Sequence, residues 1–220
     1  MIMHAIALLA AATAAARVPA TVDPAALLDA DVVLHTSTTG QAQAVVLATA
    51  SPYAHVGLIE RDGEQVYVVE AVRPVKRTPW DSWIRRGLGG HVTVLRHRDL
   101  DDDARAGVIR RARHYLGRPY DLVFAPGDDR IYCSELVVLA YAAVGVAVGS
   151  ETPAGRLGLH LPPVQTLLRR RWRQHPACAG VGSLAACMPA LERSPIVTPA
   201  SLRADPGFLM IASSYPLALR

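Results

Sequence analysis

Three side chains of this sequence, Cys133, His55 and Glu70, are of the types needed for nucleophilic catalysis by a thiol. Cys133 follows an irregular loop and opens an apolar segment that predicts a helix. At such a junction the positive end of the helix dipole lowers the pKa of a thiol and populates the thiolate, which is the nucleophile. A histidine that takes the thiol proton and a carboxylate that orients this histidine complete a site of this kind.

An Asp-Gly turn predicts the hairpin that would bring the histidine and the carboxylate together. Residues 55–60 and 65–72 have strand character and flank Asp62 and Gly63. His55 opens the first strand and Glu70 lies toward the end of the second, so antiparallel pairing places both at the sheet end away from the turn. Glu70 stands in an apolar run, and because a buried carboxylate is costly when alone, the sequence predicts a partner for it.

The remaining elements follow from apolar periodicity and from turn residues. Residues 74–79 read as a loop or an extended edge, and residues 174–195, rich in Ala, Gly and Pro, read as an insertion or loop. Further strands are predicted at 31–35, 91–96 and 208–211, and helices at 41–50, 80–84, 99–116, 133 onward and 162–172.

Length and composition limit the class of protein. The chain of 220 residues predicts a single domain over 23–220, preceded by a signal peptide at 1–16. An apolar run ending in three alanines favours the signal peptide, although no Lys or Arg precedes it, and an ordinary helix or a misassigned start are the alternatives. We therefore expect export to the periplasm or the extracellular space. The basic cluster at 169–173 is more typical of a solvated helix face than of a nucleic-acid site, and we expect no nucleic-acid partner.

The other cysteines bear on the redox state of the chain. In an exported protein Cys178 and Cys187 could pair across a short loop and leave Cys133 free, whereas in the cytosol both would stay reduced. His175 lies nearby, but the spaced set of four ligands that zinc requires is missing, so we predict neither a metal nor a cofactor. Cys133 alone could also be a small buried apolar residue, and three other strand-associated histidines compete with His55: His35, His91 and His97.

Four short motifs, in order, resemble those of the YiiX-like permuted papain-like cysteine amidases, relatives of the NlpC-type peptidoglycan peptidases. They are Tyr53–Gly57, Val69–Val72, Gly117–Asp121 and Tyr132–Leu136, and the resemblance covers about residues 29–145. The histidine precedes the cysteine, as in the permuted family. The resemblance implies an α+β, circularly permuted papain-like fold in which a small antiparallel sheet or half-barrel packs on the helix carrying the cysteine. It also implies Cys133, His55 and Glu70 as the catalytic residues.

The same resemblance implies substrate contacts for Tyr53, Tyr120 and Asp121, each of which could instead be structural. It implies a hydrolase that cleaves an amide bond through a thioester, with cell-wall peptides such as peptidoglycan fragments as the substrate. A lipid ester hydrolase or acyltransferase with the same three residues is the alternative, because thioester intermediates serve both. A non-catalytic binding module is the alternative of another class. The sequence does not indicate an oligomeric state.

Overall fold

The computed structural model describes residues 22–127 and 129–216 and is built around a six-stranded antiparallel sheet. The strand order is β4-β3-β2-β1-β5-β8, and β6 and β7 form a separate two-stranded ribbon. This arrangement confirms the α+β class, while the predicted signal peptide lies outside the described residues. The strands are β1 (Val32–His35), β2 (His55–Asp62), β3 (Gln65–Glu70), β4 (Lys76–Pro79), β5 (Thr93–His97), β6 (Thr152–Pro153), β7 (Pro195–Ile196) and β8 (Phe208–Ser213).

Seven α-helices accompany the sheet in the described residues. Most begin at a side-chain cap: the Asp101 carboxylate, for example, accepts a hydrogen bond from the Ala104 amide at 2.8 Å and starts α3. None of the described helices is both long and apolar enough to cross a bilayer. The helices are α1 (Gly40–Thr49), α2 (Trp80–Arg86), α3 (Asp102–His114), α4 (Cys133–Ala142), α5 (Pro162–Arg171), α6 (Leu184–Arg193) and α7 (Pro199–Ala204).

The central hairpin has the register that the Asp-Gly turn predicts. Asp62 pairs with Gln65 beside the turn, and Leu58 pairs with Val69 farther along. The same register continues to bring Glu70 beside the beginning of β2, where His55 lies. The segment predicted as a loop or extended edge is strand β4, which pairs with β3 and supplies Thr78 opposite Val68.

Alternation along the strands divides the core between the two faces of the sheet. Val32 and Leu34 of β1 pack in the larger core with α3 and α4, including Leu136. Val33 points to the other face and packs with Trp83 of α2. The sheet is therefore covered on both faces, and the cysteine-bearing helix α4 lies in the larger core.

The segment predicted as an insertion or loop contains helix α6, which starts where the Ser183 hydroxyl accepts from the Ala186 amide at 3.2 Å. A disulfide joins Cys178 to Cys187, and both pack with Trp172 and Leu191 in a third, smaller core. Cys133 is the free cysteine of the described residues. This part of the chain thus folds around its own apolar cluster.

Gly57 of β2 packs tightly against β3. A methyl group there would lie 2.4 Å from a Val68 methyl and 3.1 Å from the Val69 carbonyl oxygen. We predict that Gly57→Ala lowers the free energy of unfolding by about 1–3 kcal/mol, because an extra methyl in a packed core forces its neighbours apart. Urea denaturation measures the change. Gly40→Ala is the control, since a methyl there has no neighbour within 4 Å, and equal losses in both variants would contradict the prediction.

Candidate active site

Cys133 is the first residue of α4 and is only 4% exposed. The helix start is fixed by Glu135, whose carboxylate accepts hydrogen bonds from the backbone amides of Tyr132 at 3.2 Å and Gly127 at 3.3 Å. One side chain therefore ties the preceding loop to the first turn of the helix. The sulfur lies 3.9 Å from the Ser134 hydroxyl and also accepts from the Val56 backbone amide.

His55 is the first residue of β2, and it lies between the cysteine and the carboxylate. Its Nε2 lies 2.6 Å from Oε2 of Glu70, and the neighbouring Cys133 interacts with the ring and raises its pKa. Because Glu70 engages Nε2, Nδ1 is the ring nitrogen left for the sulfur. The structure thus brings together the three residues that the sequence indicated, in the order thiol, imidazole and carboxylate.

Glu70 is fully buried and has three partners. Besides His55, the Thr78 hydroxyl donates to Oε1 at 2.5 Å, and Nη2 of Arg86 lies 2.5 Å from both carboxylate oxygens. Burial alone would raise the pKa of this carboxyl, but His55 and Arg86 outweigh it and lower the pKa of Glu70 to about 2. Sequence reasoning predicted a partner for Glu70 but missed Thr78 and Arg86.

The charges of the three residues support one another. Burial favours a neutral His55 ring, yet hydrogen bonds and charge from Cys133 and Glu70 raise the pKa of His55 to about 9. Burial likewise disfavours a thiolate, but His55, Ser134 and the Val56 amide lower the pKa of Cys133 below its ordinary value of 9.0. The two shifts together favour a thiolate–imidazolium pair at neutral pH.

A neutral aromatic wall closes one side of the imidazole. His35 pairs with His55 across β1 and β2, with ring centroids 5.3 Å apart, and stacks on Trp83 at 3.9 Å. Burial and repulsion from His55 and Arg86 lower the pKa of His35 well below 6.5. At neutral pH His35 therefore adds no charge that competes with the imidazolium of His55.

Tyr120 is a further neighbour of the nucleophile. It lines the same cavity as Cys133, whose thiolate raises the pKa of the Tyr120 hydroxyl, and this hydroxyl accepts from Nε2 of Gln41 at 3.1 Å. Oε1 of Gln41 in turn accepts from Arg171 at 3.0 Å. Burial and the neighbouring thiolate raise the pKa of Tyr120 well above 10, so its hydroxyl keeps the proton and can donate it in a hydrogen bond. Gln41 and Arg171 are contacts that sequence reasoning missed.

The other two residues predicted to contact substrate have structural partners. The Tyr53 hydroxyl is buried and lies 2.9 Å from the Thr93 hydroxyl, at the end of the sheet. The Asp121 carboxylate is also buried and accepts from the amides of Val123 at 2.9 Å and Ala125 at 2.6 Å. Asp121 thus organises the loop before Cys133, and of the three predicted contacts it is Tyr120 that interacts with Cys133.

An apolar cavity of about 150 Å³ opens beside Cys133. Its walls come from α1, from the loop at 122–124, from α5 and from the segment at 194–199, and most of the lining side chains are apolar. Polar groups, including Tyr120 and Arg171, lie among them. The lining includes Val45, Ala48, Leu122, Phe124, Leu168 and Ile196.

Across residues 22–127 and 129–216, no three His, Cys, Asp or Glu side chains converge as metal ligands.

Comparisons with known proteins show to which family this chain is similar. Residues 27–212 match a family model described as "Permuted papain-like amidase enzyme, YaeF/YiiX, C92 family". The chain is 33% identical over 189 residues to the uncharacterized protein YiiX of Escherichia coli strain K12, covering 85% of this chain and 87% of that protein. The crystal structure of metalloprotein yiiX from Escherichia coli O157:H7 is similar with a TM-score of 0.74 and 32% identity, covering 86% of this chain and 98% of that one.

The proposed ion pair predicts how the reactivity of Cys133 depends on pH. In the wild type, alkylation by iodoacetamide should begin well below the ordinary thiol pKa, because His55 stabilises the thiolate until the imidazolium loses its proton near pH 9. His55→Gln should shift the midpoint upward and slow alkylation at neutral pH by at least about tenfold, since each pKa unit changes the thiolate fraction tenfold.

His160→Gln is the matched control, because His160 is exposed and does not line the cavity beside Cys133. Stopped-time mass spectrometry of the alkylated chain gives the rates. An unchanged midpoint in His55→Gln would show that the imidazole does not activate the thiol.

Proposed function

The chain belongs to the YaeF/YiiX family of permuted papain-like amidases, and on that basis we propose that it is a cysteine hydrolase whose substrate carries a long apolar acyl group. Family membership supports amidase chemistry. The observation that carries the acyl preference is the apolar cavity beside Cys133.

The first half of the proposed reaction forms a thioester. The Cys133 thiolate attacks the carbonyl carbon of the scissile amide, and the carbonyl π electrons move to oxygen. When the tetrahedral intermediate collapses, the carbon–nitrogen bond breaks and the imidazolium of His55 gives its proton to the departing amine. The acyl group then remains on sulfur and the amine leaves.

The second half hydrolyses that thioester. Neutral His55 takes a proton from water, whose oxygen attacks the thioester carbonyl. Collapse releases the carboxylic acid and restores the thiolate and the imidazolium. Glu70 keeps its negative charge throughout, holds Nε2 of the ring and stabilises the imidazolium, which is the role its hydrogen bond at 2.6 Å supports.

Two donors are placed to stabilise the oxyanion. The backbone amide of Cys133 is at the N-terminus of α4, where helix amides are free to donate. The Tyr120 hydroxyl, which Gln41 orients and which interacts with Cys133, is the second donor. Donors fixed before the reaction stabilise the developing charge without reorganisation.

The sequence left open cell-wall peptides and lipid acyl groups as substrates, and the lining of the cavity favours the lipid acyl groups. Cell-wall peptides carry carboxylates and amides at close intervals, and burying them against apolar side chains would cost several kcal/mol unless each found a partner (about 1–3 kcal/mol each). An alkyl chain loses nothing there and gains about 0.8 kcal/mol for each buried methylene. The apolar walls therefore support a lipophilic acyl group over a peptidoglycan fragment.

Export remains part of this proposal. The disulfide between Cys178 and Cys187 supports an oxidising compartment, in which such bonds persist. Lipids with acyl groups are present at every envelope surface, so the proposed substrate class is compatible with that location.

The thioester itself is testable. With an N-dodecanoyl amide substrate, rapid quenching should trap a dodecanoyl adduct on Cys133 that hydroxylamine removes. Cys133→Ala should form no adduct and reduce turnover to the uncatalysed rate, because no other described thiol is free. Circular dichroism of the variant verifies its fold, and turnover retained by a folded Cys133→Ala protein would overturn the mechanism.

The acyl preference predicts an effect of filling the cavity. Val45 lines it, so Val45→Phe should raise KM for a dodecanoyl substrate by about tenfold or more while changing an acetyl substrate little, since several methylenes lose their contacts. Leu47→Phe, on the same helix but exposed, is the control and should change neither. Equal effects of Val45→Phe on the two chain lengths would contradict the assignment of the cavity to the acyl chain.

A further inference from the structure

One positive charge interrupts the apolar lining of the cavity. Arg171, the last residue of α5, lines it and is half-buried. Nη1 of its guanidinium donates to Oε1 of Gln41 at 3.0 Å and to the Leu122 carbonyl oxygen at 3.2 Å. These two contacts fix the plane of the group. They leave Nε and Nη2 without a hydrogen bond to any residue that the structure describes.

Two more guanidinium groups lie near Arg171. Burial, then repulsion from Arg73 and from Arg170, lower the pKa of Arg171. None of the three forms an ion pair with a carboxylate within residues 22–127 and 129–216. The partly buried Arg96, in contrast, pairs with Asp31 at 2.6 Å. Arg73 and Arg170 are exposed, whereas Arg171 carries its positive charge into an apolar cavity without a carboxylate of the described residues beside it, which disfavours the empty site and favours an anion in it.

Arg171 is also connected to the nucleophile. Gln41 contacts Arg171 through its carbonyl oxygen and Tyr120 through its amide nitrogen, and Tyr120 interacts with Cys133. Nε and Nη2 of Arg171, which have no partner among the described residues, therefore lie in the same cavity as the scissile bond of a bound substrate. A substrate with its acyl chain in the cavity and its carbonyl at Cys133 passes close to this charge.

We propose that the substrate is an anionic amphiphile, and that Arg171 binds a carboxylate or phosphate carried on the amine side of the scissile amide. Two donors on one guanidinium fit two oxygens of either anion. This inference rests on the proposed function, and it adds a specificity-determining residue and the charge of the substrate.

Four substrates with the same dodecanoyl chain and the same scissile amide test the inference. N-Dodecanoylglycine carries a carboxylate and N-dodecanoylglycinamide is its neutral match. O-Phospho-N-dodecanoylethanolamine carries a phosphate and N-dodecanoylethanolamine is its neutral match. Release of dodecanoate by the full-length protein gives kcat and KM for each. The two pairs separate a carboxylate source from a phosphate source of the anion.

The wild type should prefer at least one anionic substrate over its neutral match, and added salt should reduce that preference. Arg171→Gln should raise KM for that substrate by about 10- to 100-fold relative to its neutral match, the range of a lost charge-assisted pair, whereas any change of kcat that acts through Gln41 and Tyr120 should be the same for both substrates. Arg171→Lys should recover part of the loss. Arg169→Gln, an exposed arginine of the same helix, is the matched control and should change nothing.

The outcomes separate this inference from the proposed function. If the wild type hydrolyses neutral and anionic substrates equally and Arg171→Gln affects both alike, the anion site is wrong while the acyl hydrolase stands. If the wild type hydrolyses none of the four and forms no thioester with them, the proposed function fails first. A preference for anions that survives Arg171→Gln would also overturn the assignment to this residue.

Discussion

The site depends on keeping one carboxylate charged where no water reaches it. Glu70 is fully buried, and it stays ionised because donors from three different elements converge on it: His55 of β2, Thr78 of β4 and Arg86 of α2. Removing any one donor would leave a buried charge poorly compensated. An edge strand and a short helix that touch neither the nucleophile nor the cavity are therefore necessary for the chemistry.

The ionisable groups of the site form a row in which the sign of the charge alternates. Arg86 is positive, Glu70 negative, His55 positive and Cys133 negative, and each stabilises the charged form of the next. The alternation explains how a buried thiol becomes acidic although burial opposes it. His35 lies against His55 and stays neutral, so it does not disturb this alternation of charge.

Local signals in the sequence were sufficient for the parts of the site that lie close together along the chain. The Asp-Gly turn fixed the hairpin and hence the meeting of His55 and Glu70, and the loop-to-helix junction located Cys133. Thr78, Arg86 and Gln41 could not be found in this way, because their roles arise from contacts between elements whose spacing the sequence does not encode locally. Strand β4 has no apolar alternation and exists through its pairing with β3. The cavity was equally inaccessible, since four separate segments form its walls.

The small disulfide-linked core has an evolutionary consequence. Trp172 and Leu191 belong both to that cluster and to the wall of the cavity, whereas Cys133 packs in the large core under the sheet. Substitutions in the small core can therefore reshape the cavity without repacking helix α4, which carries Cys133. Proteins with this fold can therefore change their substrate through substitutions in the small core while the reaction stays the same.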